Sequence, residues 1–543
     1  MSWINIAHPR VSFMMAFGLS VWASTVWAET PSHNVTYETV ALTGGTVPGV
    51  EAGVTFNTFQ APIINDSGQV AFWSWLAGAD VDETNHTTIF LHQSGSSSLM
   101  IRDNDPVPGS VTGAVFRGFS NNELAIDSTG QLLVRVSDTE NHLGFWLKGD
   151  GSLDLIAEKW GIAPDADLGL NIVDLDFPTF NGTGHIAFRS RLAGEGVSLQ
   201  NDTVVWSGRL GSFRLIAREG SAVPEIGPGV LFSFIGAPMI NGAGQAMFWA
   251  RFTGPNVTQY NNEAIWLDDG HSLRPVVREN DAAPGILGAV FVQLDSSDFN
   301  DAGQIALIST VAGRGLNNNN NRGIWSGSPD SLNLIARNGS PAPGAGIGAL
   351  FTGFERVLLN GSGQIMFLAY VSGRGVDDTN NIGIWSEGTG SLSQVARIGF
   401  EAPGTGPGVT FSRFYIPSIT FNGAGQTAFM GFLDDNDAVG ENDAGIWATD
   451  PDGVLTLIVR TGDLFDIDDD PLIEDMRTIL SFPMVGGSGG EDGRRTSFDD
   501  HGRLAFRLDF TDGTSGIFVS TVPEPTGLAM LGLSGLALVR RRR

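Results

Sequence analysis

The sequence predicts an all-β fold, a β-propeller of eight four-stranded blades, from three observations. A motif of the form N-x-x-G-x-x-x-F recurs about every 60 residues. Each repeat holds four short apolar segments separated by turns rich in Gly, Pro and Asn. The N-terminal segment Tyr37–Gly49 resembles the segment that the last repeat lacks. We therefore expect the N-terminal strand to complete the last blade and close the ring, which removes open sheet edges.

The motif starts define a tandem-repeat domain that we place at residues 33–520. Its eight copies begin at Asn65, Asp127, Asn181, Asn241, Asn300, Asn360, Asn422 and Asp499. In a copy such as NGSGQIMF, the Asn and Gly favour a turn and the apolar residues after it favour a strand. We interpret the motif as the hinge between the first and second strands of a blade; the alternative is a ligand site used eight times.

Two further motifs follow in each repeat. An aromatic residue recurs in the third strand, and we expect it to be blade-to-blade core rather than a platform for sugars; its copies are Phe90, Trp146, Trp206, Trp266, Trp325, Trp385, Trp447 and Phe518. A fourth-strand motif, L-I-A-R-x-G-x-x-A-P-G, is clearest at Leu334–Gly344. Its arginine is interpreted as structural, the alternative being an anion site in the central channel. For the fold itself the alternative is an open β-solenoid, which needs end caps that the sequence does not show.

Composition excludes several classes of function. The formal charge of −28 disfavours nucleic acid as a partner, because phosphates are repelled. The chain has no cysteine, which excludes disulfides, thiolate metal sites and cysteine nucleophiles. We find no H-E-x-x-H zinc motif, no phosphate-binding loop and no nucleophile elbow. No catalytic residue is therefore assigned, although a propeller enzyme built on a pair of carboxylates is the alternative.

The N-terminus is predicted to be a secretory signal peptide, residues 1–28. Arg10 supplies the positive region, Val11–Trp22 the apolar region, and Val26 and Ala28 the small residues of a cleavage site. The apolar run is short for a membrane anchor. We therefore expect an exported protein whose mature chain begins near Glu29.

The last residues, 521–543, are predicted to be a sorting tail. Val522, Pro523, Glu524 and Pro525 precede an apolar run, Gly527–Val539, which is shorter than the ~20 residues of a spanning helix. The chain then closes on four arginines that the positive-inside rule keeps cytoplasmic; they are Arg540, Arg541, Arg542 and Arg543.

This tail resembles the PEP-CTERM sorting domain of Gram-negative bacteria, with Pro523, Glu524 and Pro525 as its signature. The resemblance implies an exosortase-type membrane enzyme as partner, transient membrane contact by the tail, and association with exopolysaccharide or biofilm material. The repeat is also similar to the NxxGxxAF repeat of exported bacterial proteins; its best copies start at Asn65, Asn181 and Asn422, while those at Asp127 and Asn300 diverge. We therefore expect a non-enzymatic repeat scaffold of the envelope, outer surface or extracellular matrix, contacting polysaccharide or a matrix protein. The alternative is a propeller enzyme that acts on extracellular glycans.

Acidic loops are the remaining candidates for a ligand site. The densest cluster lies in an insertion of the last repeat, at Asp466, Asp468, Asp469 and Asp470, and offers oxygen ligands for weak Ca²⁺ binding. Loops between second and third strands offer similar groups, at Asp80, Asp82, Asp377, Asp378, Asp434, Asp435 and Asp437. None matches an EF-hand loop, so solvated turns are the favoured interpretation and no other cofactor is expected.

Overall fold

A computed structural model describes residues 35–119, 123–149, 151–164, 169–434, 443–468, 472–488 and 492–522. These residues form eight antiparallel sheets, each a blade of a propeller, which confirms the predicted fold class. The described part contains no α-helix, only a short 3-10 helix at Ile416–Ser418. Within it, no helix is long and apolar enough to cross a bilayer.

The strands of the first half of the chain, blade by blade, are as follows. The closing strand is β1 (Thr36–Leu42). Blade 1 has β2 (Thr55–Phe59), β3 (Ile63–Ile64), β4 (Val70–Ala77), β5 (Thr87–Gln93) and β6 (Ser96–Arg102). Blade 2 has β7 (Phe116–Phe119), β8 (Ala125–Ile126), β9 (Leu132–Asp138), β10 (Leu143–Lys148) and β11 (Leu153–Glu158). Blade 3 has β12 (Asn171–Phe180), β13 (Ile186–Ala193), β14 (Thr203–Arg209) and β15 (Ser212–Arg218). Blade 4 has β16 (Leu231–Ile235), β17 (Met239–Ile240), β18 (Ala246–Thr253), β19 (Glu263–Asp268) and β20 (Leu273–Arg278).

The second half continues in the same pattern. Blade 5 has β21 (Val290–Phe299), β22 (Ile305–Ala312), β23 (Arg322–Ser328) and β24 (Ser331–Arg337). Blade 6 has β25 (Leu350–Leu359), β26 (Ile365–Ser372), β27 (Ile382–Ser386) and β28 (Ser393–Arg397). Blade 7 has β29 (Thr410–Phe414), β30 (Thr420–Phe421), β31 (Thr427–Asp434), β32 (Ala444–Thr449) and β33 (Leu455–Arg460). Blade 8 has β34 (Leu464–Asp466), β35 (Met476–Ser481), β36 (Arg503–Phe510) and β37 (Ser515–Thr521).

Closure depends on the two ends of the propeller. Strand β1 pairs antiparallel with β37, from Thr36 opposite Thr521 to Leu42 opposite Gly516. The N-terminal strand thus forms the outermost strand of the last blade, as predicted, and the open-solenoid alternative is wrong. Strand β37 runs one residue past the predicted domain end at 520, and Val522 after it is buried in the core.

The hydrophobic core lies between the blades. Each of the eight core clusters joins side chains from two neighbouring sheets, and one of them joins blade 8 to blade 1. The first strands of neighbouring blades contact one another, so they converge on the central channel. The fourth strand is at the opposite edge of each sheet, on the outside.

The repeated aromatic residues occupy these interfaces. Trp385 is fully buried, packs edge-on against Phe351 with ring centroids 5.1 Å apart, and stacks on Phe367. Its Nε1 donates to the Pro343 carbonyl, in the A-P-G turn that leads from blade 5 into blade 6. This confirms that the third-strand aromatic is core and not a binding platform.

Candidate functional site

The repeated motif is a turn, as predicted, and its Asn caps it. In blade 6 the Asn360 side-chain oxygen accepts the backbone N–H of Gln364 at 2.9 Å. Gly363 has a φ of 79°, in the left-handed region that glycine adopts without strain. The turn joins β25 to β26, the first two strands of the blade.

The same Asn also links each blade to the next, which sequence reasoning missed. The Asn360 side-chain amide donates to the Asn422 carbonyl at 3.1 Å, one repeat further along. Equivalent bonds join Asn65 to Asp127, Asn181 to Asn241, Asn241 to Asn300, Asn300 to Asn360 and Asn422 to Asp499. We call this set the Asn ring. In these six copies the Asn both caps its own turn and binds the next blade, which is a physical reason for the recurrence of the motif.

Blade 8 departs from the motif with a charged pair. Asp499 stands in place of Asn and Arg503 in place of Gln, and Arg503 Nε donates to Asp499 Oδ2 at 2.6 Å. Arg503 Nη2 reaches the Asp66 carbonyl of blade 1 at 3.0 Å. The arginine thus supplies the inter-blade donor that Asp499 lacks.

This substitution provides a test of the Asn ring. Asn360→Asp keeps the capping oxygen but removes the donor and buries a carboxylate, so we expect a loss of about 2–4 kcal/mol in the free energy of unfolding. Adding Gln364→Arg, which copies the blade 8 pair, should recover at least about half of that loss in denaturant unfolding. Equal losses in the single and double variants would contradict the linkage.

Three acidic residues at the second motif position form further inter-blade links. Asp66, Asp301 and Asp500 each accept the backbone N–H of the second motif residue in the preceding blade. Burial, and then the neighbouring Asp66 carboxylate, raise the pKa of Asp500 to about 6. One end of the channel therefore carries carboxylates that face backbone donors.

A pH dependence follows from Asp500. Its folded-state pKa of about 6 exceeds the ~3.9 of an unfolded aspartate. Between these two pH values the folded protein binds a proton that the unfolded chain has released. The free energy of unfolding therefore falls as the pH rises through 6. Asp500→Asn keeps the acceptor for Gly423 without titrating. Its stability relative to the parent should therefore rise by about 1–2 kcal/mol from pH 4 to pH 7, in unfolding experiments at each pH.

Asp377 is an opposite-sign control for this experiment. Hydrogen bonds from the Thr379 side chain and backbone lower the pKa of Asp377, so its stabilisation is present at neutral pH and lost as the pH falls. Asp377→Asn should therefore lose stability relative to the parent as the pH rises. The same slope in both variants would contradict the assignment of Asp500.

The insertion of the last repeat has two separate parts. The described residues of its acidic part adjoin the β34–β35 pair, where Asp466 Oδ1 accepts the N–H groups of Asp468 and Asp475. Its glycine-rich part, residues 482–488 and 492–498, connects strand β35 to the blade 8 motif along the chain. This part enters the central channel. We call this second part the channel plug.

The plug satisfies backbone donors at the inner edges of four blades. In each, the residue just before the motif Asn donates its N–H to a plug carbonyl: Ile64 to Thr496, Phe180 to Gly493, Ile240 to Asp492, and Phe421 to Gly487. Gly493 lies so close to Ile240 and Phe180 that a Cβ would clash with their backbones. The glycines are therefore required by close packing against the channel wall.

A buried charge cluster anchors the plug. Arg494 Nη2 donates to Asp298 Oδ1 at 2.9 Å, and its Nε contacts Asp492 within the plug. Asp298 Oδ2 accepts the Leu359 N–H at 2.7 Å, and both carboxylates are at most 1% exposed. Burial raises the pKa of Asp298 well above its ordinary value, nearby Asp492 raises it further, and Arg494 opposes both.

Beside the plug, the motif end of the channel holds a cavity of about 260 Å³. It is lined by motif residues of several blades and by Arg494, whose side chain keeps 46% of its surface exposed. The letters of a G-x-S-x-G motif occur in the plug, at 486–490, but Ser488 there is buried and follows no strand-to-helix turn. The described residues thus show no nucleophile elbow.

A larger cleft of about 570 Å³ lies between blades 4 and 5. We call it the blade 4–5 cleft; its lining includes Trp249, Arg251, Gln259, Glu263, Glu279 and Asp295. The Arg251 guanidinium lies over the Trp249 ring at 4.9 Å and bonds Glu263 at 2.7 Å. Burial, and then Glu263, raise the pKa of Glu279, whose Oε2 accepts the N–H groups of Asn262 and Glu263. Sequence reasoning did not single out these residues, because they lie in four separate segments.

The repeated arginines hold the loops between the second and third strands in place. Arg102, Arg218 and Arg278 each donate to a backbone carbonyl in the loop between the second and third strands of the same blade. The arginines lie on the outermost strands, so the channel-facing alternative is wrong. Arg102 also pairs with the Glu51 carboxylate at 3.2 Å. In the loops, Asp82 and Asp377 accept bonds from Thr84 and Thr379, which are turn contacts.

The remaining predicted sites are only partly within the described residues. Asp466 and Asp468 lie in a hairpin turn, while Asp469 and Asp470 are outside the described residues, as are Pro523 to Arg543 and the signal peptide. Among the described residues, three potential metal ligands come together at Asp138, Glu140 and His142, a turn of blade 2 that the sequence analysis did not single out.

Comparisons with known proteins identify a family. A model described as a family of unknown function (DUF7453) matches residues 10–330 and 321–529. Solved structures that the chain matches include an oligogalacturonate lyase in complex with manganese (12% identity, 90% of this chain and 97% of that chain, TM-score 0.37). The Dos1 propeller (9%, 88% and 95%, 0.37) and the β-propeller domain of the Trilobed protease from Pyrococcus furiosus (12%, 75% and 100%, 0.33) are others. None of the curated proteins matches this chain.

Proposed function

The chain belongs to DUF7453, a family of unknown function, and we propose from its geometry that it is a rigid, exported binding scaffold of the bacterial envelope or extracellular matrix. The observation that carries this proposal is the channel plug. A channel occupied by its own chain and fastened by Asp298, Arg494 and four backbone bonds leaves little room for a substrate there. Ligands are then bound on the blades and their loops.

Export and sorting rest on the two ends of the chain. The N-terminal segment has the three regions of a signal peptide, and the C-terminal tail has the order of a PEP-CTERM signal. The absence of cysteine leaves folding independent of the redox state of the compartment. The proposed partners are an exosortase-type enzyme, which reads the tail, and exopolysaccharide or a matrix protein, in a Gram-negative host.

Mass spectrometry of the protein recovered from the cell surface or medium tests the sorting proposal. We expect a mature N-terminus at Glu29 and processing near Pro523. Replacing Arg540 to Arg543 by alanine should leave the chain unprocessed and reduce its surface fraction. The single substitution Arg274→Ala, at an exposed ion pair on the propeller, is the control and should be sorted normally. An exported protein that keeps an intact tail would overturn the proposal.

A glycan-acting enzyme is the rival function, and the Glu263–Glu279 pair in the blade 4–5 cleft is the observation that favours it. Acid–base cleavage of a glycosidic bond typically uses two carboxyl groups, one of which has a raised pKa. In this pair the group with the raised pKa is Glu279. Glu279 Oε2 accepts the N–H groups of Asn262 and Glu263 and so holds the adjoining loop. Release of reducing sugar that Glu279→Gln abolishes would replace the scaffold by an enzyme.

A further inference from the structure

The ring of Trp249 in the blade 4–5 cleft stands at a position where only two of the eight repeats have an aromatic residue. Trp249 lies eight residues after the motif Asn of blade 4, where blades 5, 6 and 7 have Ile308, Leu368 and Met430. The second strand of blade 4 therefore presents an aromatic ring where the next three blades present aliphatic core. Blade 1 also has a Trp at this position, but Trp73 is buried in the core, whereas Trp249 is only partly buried and lines the cleft. The exposure of the ring to a cleft, rather than its presence, indicates a local role.

Aromatic surface is concentrated around this position. The Phe234 ring is 41% exposed and packs edge-on against Trp249 at 5.3 Å. Tyr260 is 64% exposed and follows Gln259, which lines the cleft. Trp249 Nε1 is buried and makes no hydrogen bond within the described structure. Rings with apolar faces and polar edges are suited to stacking against the C–H face of a pyranose.

Hydrogen-bond donors and hydrogen-bond acceptors both line the cleft beside the aromatic rings. The Gln259 and Gln293 amides supply donors and acceptors, Arg251 supplies donors, and the Glu263 and Asp295 carboxylates supply acceptors. Sugar hydroxyls donate and accept at once, so they match such a mixed lining. The cleft volume of about 570 Å³ is within the ~300–1,000 Å³ of small-molecule sites.

Charge distinguishes between classes of sugar. Three carboxylates line the cleft, and its own cation, Arg251, is already paired with Glu263. Asp295 is paired with Arg322 at 2.6 Å, and the whole chain carries −28. A uronic acid or sulfated sugar would be repelled, whereas an uncharged sugar would meet no such penalty.

We propose that the blade 4–5 cleft is a binding site for uncharged pyranose units of a polysaccharide. This deepens the proposed function, on which it rests, by naming the class of ligand and its place on the propeller. The part of the Trp249 ring that Arg251 leaves uncovered and the exposed Tyr260 ring next to Gln259 supply stacking surface. The side chains of Arg251, Gln259 and Asp295 bond the ring hydroxyls. No covalent step is part of the proposal.

Binding of defined oligosaccharides to the purified propeller, residues 29–522, tests the site without involving sorting. Eight closed blades with their own core make this part a complete folding unit. The probes are hexamers of glucose, galactose and mannose and, for contrast, hexamers of galacturonic and mannuronic acid, measured by calorimetry. At least one neutral hexamer should bind ~10-fold more tightly than either acidic one.

Variants locate the site. Trp249→Ala should weaken the binding at least ~10-fold, and Tyr260→Ala, which removes an exposed ring and leaves the core intact, about 3-fold or more. Phe400→Ala, at an exposed ring of blade 6 that is 45% exposed, is the matched control and should leave the affinity unchanged.

Several outcomes would overturn the proposal. They are binding of no neutral hexamer, preference for the acidic ones, full affinity in both Trp249→Ala and Tyr260→Ala, or cleavage of the bound hexamer. A failure here with correct processing of the tail would refute the cleft and leave the exported scaffold in place. Binding of a neutral hexamer by a protein whose tail is unprocessed and retained would support the cleft and refute the proposed sorting.

Discussion

Replacing Arg494 with Met should lower the free energy of unfolding by about 3–5 kcal/mol at pH 7, the cost of leaving buried charges unpaired. The guanidinium is the contact partner of both Asp298 and Asp492, which are at most 1% exposed. Without it, at least one carboxylate must take up a proton or draw water into the channel. The measurement is denaturant unfolding monitored by tryptophan fluorescence.

Three comparisons sharpen this prediction. The loss should be smaller at pH 5, because a buried carboxylate that has lost its arginine takes up a proton more readily at lower pH. Asp298→Asn combined with Arg494→Met should be less destabilised than Arg494→Met alone, since one buried charge is removed. Arg274→Met, whose partner Asp330 is 87% exposed, is the matched control and should cost less than about 1 kcal/mol. Equal losses at positions 494 and 274 would show that the plug is not held by its charge cluster.

Trp385→Ala should be about as costly, with a loss of about 3–5 kcal/mol in the free energy of unfolding. The indole is fully buried between blades 5 and 6, against Phe351 and Phe367, and closure of the ring restricts how far the blades can collapse into the cavity. The measurement is the shift of the unfolding midpoint in denaturant. A loss below about 1 kcal/mol would contradict the assignment of this residue to the core.

The chain offers a matched pair that isolates the hydrogen bond of this tryptophan. Trp385 Nε1 donates to the Pro343 carbonyl at 2.8 Å, whereas Trp266 Nε1, also fully buried, has no hydrogen-bond partner among the described residues. Phenylalanine already stands at this position in blades 1 and 8, as Phe90 and Phe518. Trp385→Phe should therefore cost about 1 kcal/mol more than Trp266→Phe. Equal costs would mean that the bond contributes nothing to stability.

Much of the fold was predictable because its determinants are local. The turn at Asn360–Gly363 is encoded in four residues, by a side chain that caps its own backbone and a glycine with positive φ. The eight copies of this turn motif predicted the number of blades. The likeness of Tyr37–Gly49 to a fourth-strand segment predicted that the N-terminal strand closes the ring. The inference that Trp385 is core also held, because an apolar strand between two blades has no exposed face.

The candidate site was not predictable in the same way. The acidic residues from Asp466 to Asp470 were the most conspicuous feature of the insertion, yet the part that enters the channel is the glycine-rich segment after them. Glycine runs predict loops without saying where the loops go. Likewise, Glu279 and Asp295 look like ordinary loop and strand residues until Trp249 and Arg251 are placed beside them.

The sequence by itself determined the blade, its strands, its turns and the order in which eight copies close, because these depend on residues within one repeat. Only the tertiary structure decided which repeats meet: Asn360 with Asn422, and Asp298 with Arg494, 196 residues away. The physical reason is that a bond formed once, such as the one between Asp298 and Arg494, leaves no periodic trace in the chain, and the motif Asn does not reveal that its amide reaches the next blade. Its partners are selected by the closed ring, which brings eight inner edges and one inserted loop into a single channel.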